Sequence, residues 1–133
     1  MNDNEKKLLL KDLCARVPYG VRADGCINAK NANVGVNDIY PFISKELVCG
    51  VTNNKVCLQG TWVDIELVRP YLRPLGSMTE SEELEHRKLM VNYEFAYFST
   101  PESIDWLNAH HFDFRWLIDK GLALPAPNNM YVF

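Results

Sequence analysis

The stretch from residue 46 to residue 68 constrains this chain most. Residues 47–58 read as a β-hairpin with Asn53-Asn54 at its tip, and residues 61–68 read as a third strand. Along that strand Val63, Ile65 and Leu67 face one side, while Trp62, Asp64 and Glu66 face the other. This is the period of two expected of a strand with one covered face. Asn tolerates positive φ, so Asn53-Asn54 favours a two-residue turn. Thr52 then pairs with Lys55, Cys49 with Leu58 and Cys57 with Gly50. In that register Cys49 and Cys57 lie on opposite faces and do not bond. A three-residue loop at 52–54 would place them opposite one another.

The flanking segments supply helices and breaks. Residues 4–16 read as a helix capped by Asp3 or Asn4, with Leu9, Leu10, Leu13 and Cys14 inward and Lys6, Lys7, Lys11 and Asp12 outward. Pro18 ends it. Asp24-Gly25 reads as a turn. Val34 to Ile43 holds a short strand or a single turn, and Pro41 argues against a long central strand there. Residues 69–75 read as an ordered connector between Pro70 and Pro74.

Thr79 and Glu82 form a capping box for a helix from 80 to about 91. Residues 93–98 fit either a strand or continued helix. Thr100-Pro101 starts a helix over 101–110. Asp113 caps a last short helix at 114–120, with Gly121 at its C′ position.

Charge is distributed unevenly along the chain. The net charge is −3, from 14 Lys and Arg against 17 Asp and Glu. Residues 77–106 hold seven of the acids against Arg87 and Lys88, a local net of −5. That balance disfavours binding nucleic acid through its phosphates. The acidic stretch reads either as a solvated helix face or as a docking surface for a basic partner. Eight aromatics, from Tyr93 to Trp116, crowd into 24 residues of the same half. Core packing accounts for them, and an exposed subset would mark a protein-binding patch. The polar N-terminus and short Leu8-Leu9-Leu10 run lack the form of a secretory signal, so the expected location is the cytoplasm. There the four cysteines, Cys14, Cys26, Cys49 and Cys57, read as small buried hydrophobes.

Candidate chemistry is sparse. His110-His111-Phe112-Asp113 carries metal-ligating residue types, but helix neighbours point about 100° apart. The i, i+4 spacing of a helical metal site is absent. His110 instead stacks on Trp106, and His111 packs on Leu107. Asp64 and Glu66 share a strand face, roughly 7 Å apart, a usable separation for some hydrolytic chemistry. The same alternation is what any half-covered strand needs. Arg16, Arg22, Arg69 and Arg73 would form an anion site if they converged. No nucleophile elbow, glycine-rich phosphate loop or cofactor motif is present in the sequence.

Three stretches carry a resemblance. They are Leu10 to Gly20 (LKDLCARVPYG), Val68 to Glu80 (VRPYLRPLGSMTE) and Ile104 to Ala123 (IDWLNAHHFDFRWLIDKGLA). Together they cover about half the chain and resemble a set of small uncharacterised proteins from gut Bacteroides-type bacteria and their prophages. The resemblance implies a bacterial, cytoplasmic and phage-derived origin. It implies no activity and no site residues.

The expectation is one α+β domain over residues 1–133: an N-terminal helix, a small antiparallel sheet of three to five strands, and two or three C-terminal helices packed on it. The leading functional expectation is a non-enzymatic protein-binding or adaptor domain that needs no cofactor or metal and no membrane. Its partner would be another protein, and the oligomeric state is left open. The candidate surface comprises Glu80, Glu82, Glu83, Glu85, Arg69, Arg73 and Trp62. Two alternatives stand beside it. One is a small enzyme whose carboxylates or histidines assemble only in the fold, and the other is a nucleic-acid-associated protein.

Overall fold

A computed structural model describes residues 1–28 and 39–133 of the chain. Helix α1 (Asp3–Arg16) leads into strands β1 (Arg22–Asn28), β2 (Ile39–Val51), β3 (Lys55–Leu58), β4 (Thr61–Asp64) and β5 (Val68–Leu72). There follow α2 (Glu80–Lys88), a hairpin of β6 (Val91–Tyr93) and β7 (Ala96–Phe98), α3 (Pro101–Ala109) and β8 (Leu124–Pro125).

The class is α+β with an N-terminal helix, but the expected architecture is corrected in three respects. The main sheet has six strands in the order β4-β3-β2-β1-β5-β8, and β6 and β7 form a separate pair. The main sheet is mixed, because β8 runs parallel to β5. A parallel return needs a long crossover, and residues 73–123 supply it, carrying both C-terminal helices and the hairpin. Finally, those helices do not pack on the sheet. Trp106, Leu107 and Phe112 form their own buried cluster with Leu75, Met78, Leu89, Ile104 and Phe114, none of them on a strand. Helix α1 covers the sheet instead, burying Leu9 and Leu13 among strand residues such as Val48, Val56 and Val68.

Helix α1 differs in detail from its apolar pattern. Asn2 caps it, reciprocally with Glu5. Its buried stripe is Leu9, Asp12, Leu13 and Arg16, while Cys14 is exposed. An aspartate and an arginine four apart thus take core-facing positions.

Pro41 lies within β2 after all. It sits beside the register shift between Cys26 and Asn28, where the ladder with β1 is interrupted and the missing N–H costs least. Asp24-Gly25 is strand, not turn. A Cβ on Gly25 would come within 2.6 Å of Leu58 Cδ1, so the glycine marks a close approach across the core. The connector at 69–75 is largely β5, paired with β1 on one side and β8 on the other. The third strand stops at Asp64 and turns through Ile65–Leu67, yet Val63 and Ile65 stay buried as the alternation requires.

No α-helix forms at 114–120. Trp116 adopts positive φ, which breaks a helical run. Asp113 still caps the following turn, accepting from the amides of Leu117 and Ile118. Gly121 still closes it: its amide donates to Ile118 O, and the Leu122 amide donates to Leu117 O, the paired bonds of a Schellman ending. Residues 29–38 lie outside the described residues, with much of the segment expected to hold a strand or turn before Ile43.

Candidate docking surface

Helix α2 begins at its expected capping box, with the Thr79 hydroxyl accepting from the Glu82 amide and the Glu82 carboxylate accepting from the Thr79 amide. Glu82 also takes both arms of the Arg73 guanidinium, each at 2.8 Å. Burial works to raise the Glu82 carboxyl, but Arg73 and the Thr79 amide outweigh it and hold it below the usual carboxylate range. The Arg73 guanidinium lies 4.1 Å from the Phe112 ring centre, a cation–π contact. Arg73 and Glu82 therefore anchor α2 to the end of β5 rather than offering free charge.

Glu85 accepts from Trp106 Nε1 at 3.1 Å. His110 stacks on Trp106 at 4.0 Å, as its spacing predicts, and bonds Trp106 O through Nδ1. With these residues engaged, Glu80 and Glu83 are the members of the predicted acidic group left on the outer face of α2, exposed to solvent.

The hairpin beyond α2 resolves the ambiguity at 93–98. The Thr100 hydroxyl donates to Leu89 O and closes its base. At its tip Glu94 and Phe95 have φ of 49° and 67°, the paired positive values of a two-residue hairpin turn. An aromatic residue in that region is strained by about 1–3 kcal/mol. All six strand residues are exposed, and Phe95 is 105% exposed. Between β7 and α2 runs a groove of about 230 Å³ lined by Met78, Glu83, His86, Arg87, Met90 and Tyr97. The Arg87 guanidinium sits 5.6 Å from the Tyr97 ring centre.

The remaining predicted residues lie elsewhere. Trp62 is half exposed on β4 and Arg69 is on β5. Three strands separate theirs in the sheet, a spacing of roughly 19 Å at about 4.8 Å per strand. Arg69 donates to Glu66 O and Val68 O. The four arginines do not converge on an anion site: Arg16 serves Asp12 and Phe112 O, Arg22 serves Lys45 O, and Arg73 serves Glu82. Asp64 and Glu66 both line a cavity of about 240 Å³, but each is paired with a lysine, Lys55 and Lys6 respectively. Among the described residues, no group of three or more His, Cys, Asp or Glu side chains gathers to hold a metal ion. Among them, too, no helix is long and apolar enough to cross a membrane.

One buried network was not foreseen. Asp12 and Arg16 are both 0% exposed and paired at 2.9 Å. Arg115 donates to Asp12 at 2.7 Å and to Asn108 at 3.1 Å. Arg16 also donates to Phe112 O at 2.6 Å. Beside it lies His111, which leaves the helix at positive φ instead of packing along it. His111 bonds Tyr19 O and lies against the Tyr131 ring, tilted by 31° at 4.1 Å. The signal for the network was the i, i+4 pair Asp12 and Arg16 in register with Leu9 and Leu13.

Burial pushes the His111 imidazole down to about 4, and the positive charges of Arg16, His110 and Arg73 act the same way against the opposing bond to Tyr19 O. The neutral ring therefore belongs to the folded state. Unfolded chain takes up a proton below about pH 6.5, which the folded chain resists until about pH 4. Stability from this group is complete above pH 6.5 and falls as pH drops to about 4, by on the order of 3 kcal/mol at about 1.4 kcal/mol per unit. Urea unfolding of His111→Asn, whose side chain tolerates positive φ, should show that much less loss between pH 7 and 4 than the parent. Equal losses in both proteins would refute the assignment.

No family model, no curated protein and no solved structure matches this chain.

Proposed function

We propose that this chain is a non-enzymatic protein-binding module that docks its partner on the β6–β7 hairpin and the adjoining face of α2. The observation that carries this reading is the hairpin itself. A two-stranded ribbon is marginally stable in water alone, yet this one leaves all six strand residues exposed and holds Phe95 outward on a strained tip. Contiguous exposed apolar surface of this kind is characteristic of interaction sites, and aromatic anchors are the commonest hot spots. The methionines of the groove, Met78 and Met90, suit an adaptable contact.

The partner's chemistry follows from the rim. Glu94 sits at the tip of the aromatic ribbon and Glu83 lines the groove beside Tyr97, both exposed. Glu80, Glu102 and Asp105 are exposed on the two flanking helices, so the complementary surface is apolar at its centre and rich in Lys and Arg at its edge. A second copy of this chain would bring like charges together. Both long edges of the ribbon also have unpaired backbone groups, which suits addition of an extended partner segment. The resemblance of three stretches to bacterial and prophage proteins, and four free thiols, support a phage-derived origin and a cytoplasmic location.

The test uses a partner recovered from bacterial lysate at stoichiometric yield. Phe95→Ala and Tyr93→Ala should each weaken its binding about 30-fold, the scale of a hot-spot truncation near 2 kcal/mol. Glu83→Lys should slow association and weaken its salt dependence. A partner that binds all three variants as tightly as the parent sinks the proposal.

A further inference from the structure

The hairpin of β2 and β3 brings two thiols together that a regular ladder would separate. At the turn the register is the expected one: Val51 pairs with Val56 and Gly50 with Cys57. One step further it shifts, because Val48 rather than Cys49 pairs with Leu58. Cys49 is thus the extra residue of a β-bulge, and two residues, Cys49 and Gly50, oppose Cys57. A bulge re-aims the side chain of its extra residue. Here the Cys49 thiol donates to Cys57 O at 3.3 Å. The expectation that the two cysteines face opposite sides is corrected by this bulge, not by a change in turn length.

The surroundings shape a site. Gly50 leaves the space beside Cys57 open, and a Cβ there would lie 3.2 Å from the Trp62 ring and 3.7 Å from Cys57 Cβ. Trp62 pairs directly with Cys57 across β3 and β4, and its indole lies over Gly50 on that face. Cys49 is exposed and Cys57 is buried. Gly50, the paired partner of Cys57, belongs to a ladder whose opposed Cα atoms stand about 4.5–5.5 Å apart, and Cys49 is the next residue along, its thiol already on the Cys57 carbonyl. A disulfide bridges Cα atoms roughly 4.4–6.8 Å apart.

We propose that Cys49 and Cys57 form a reversible cross-strand disulfide when the protein meets a peroxide. Cys49 is the thiol that solvent reaches. Its sulfur attacks the peroxide oxygen, the O–O bond breaks, and with hydrogen peroxide the leaving hydroxide takes the thiol proton as water, leaving a sulfenic acid on Cys49. The Cys57 sulfur then attacks the Cys49 sulfur. The S–O bond breaks, and the departing hydroxide takes the Cys57 proton as a second water. Two thiols lose two electrons in all, and one peroxide becomes two waters. Contact with the Cys49 thiol, aided by burial, pushes the Cys57 thiol up, so Cys57 is the poorer nucleophile for the first attack and acts only once the sulfenic acid stands beside it. Exchange with a small dithiol restores both thiols.

The experiment treats the reduced full chain with hydrogen peroxide, alkylates what remains free, and maps the linked peptides by mass spectrometry. The expected product is a monomer joined between residues 49 and 57 that dithiothreitol reverses. It should be lost in Cys49→Ser and in Cys57→Ser and retained in the double variant Cys14→Ser, Cys26→Ser. Disulfides quench neighbouring indoles, so oxidation should lower the emission of the parent and leave that of Trp62→Phe nearly unchanged. Three outcomes overturn the proposal: sulfinic acid accumulating on Cys49 with Cys57 still free, covalent dimers through Cys49, or a bridge formed equally well between other cysteine pairs.

Discussion

Asp12→Ala is expected to destabilise the fold by about 3–5 kcal/mol, the cost of breaking a buried ion pair from one side. The substitution removes the carboxylate that Arg16 and Arg115 share. Arg16 is wholly buried, and burial already depresses its guanidinium despite Asp12. Without Asp12 its guanidinium keeps, among the described residues, one hydrogen bond to the Phe112 carbonyl and the face of the Phe114 ring, and water cannot replace the lost oxygen without opening the core. For a chain of this length the loss corresponds to a melting temperature lower by on the order of 10–20 °C. The double variant Asp12→Leu, Arg16→Met separates charge from shape, because exchanging a whole buried pair for apolar residues is often neutral or stabilising. It should recover most of the loss. Chemical denaturation of the three proteins decides the matter: a deficit below about 1 kcal/mol in Asp12→Ala would mean that the pair is solvated.

Phe112→Ala should cost a similar amount, about 3–5 kcal/mol, by a different route. The Phe112 ring is wholly buried, stacked on Trp106 at 5.7 Å and capped by Arg73 at 4.1 Å. Truncation empties the centre of the small cluster built by α3 and the segments flanking α2 and takes the aromatic face from Arg73. The Phe112 ring belongs to a cluster separate from the main core under α1. Loosening is therefore expected to be regional, with amide exchange accelerating most across residues 75–112 and least across β1 to β3. Uniform acceleration over both regions would show that the two clusters unfold as one.

Much of this architecture was readable where local chemistry settles it. Thr79 with Glu82 and Thr100 with Pro101 located two helix starts, and Gly121 located a chain reversal, because caps depend on a few adjacent residues. The 52–55 turn was readable for the same reason. What escaped depended on distant partners. Asp12 read as solvent-facing, and its pairing with Arg16 went unread, because their counterparts, Asn108, Phe112 and Arg115, lie about a hundred residues on. The proline-flanked stretch at 69–75 read as a connector because nothing local announces that Ala23 and Leu124 pair with it. Cys49 was misplaced by a single inserted residue, since a bulge inverts the face on which everything before it sits. At the candidate docking surface, the acidic face of α2 was legible, but Glu82 and Glu85 prove to be structural, and Phe95 is singled out by its backbone and its full exposure.

The parallel pairing of β5 with β8 has a consequence during synthesis. Leu72 O accepts from the Ala126 amide at 2.7 Å, and the Tyr131 hydroxyl donates to Tyr71 O at 2.8 Å. On the ribosome, β5 can zip to β1 as soon as it emerges, but the residues that cover its other flank are about fifty codons behind. At roughly 5–20 residues per second that flank stays bare for about 3–10 s. A nascent chain stalled before Leu124 would display a ready template for strand addition, and slow codons between β5 and β8 should prolong its association with chaperones.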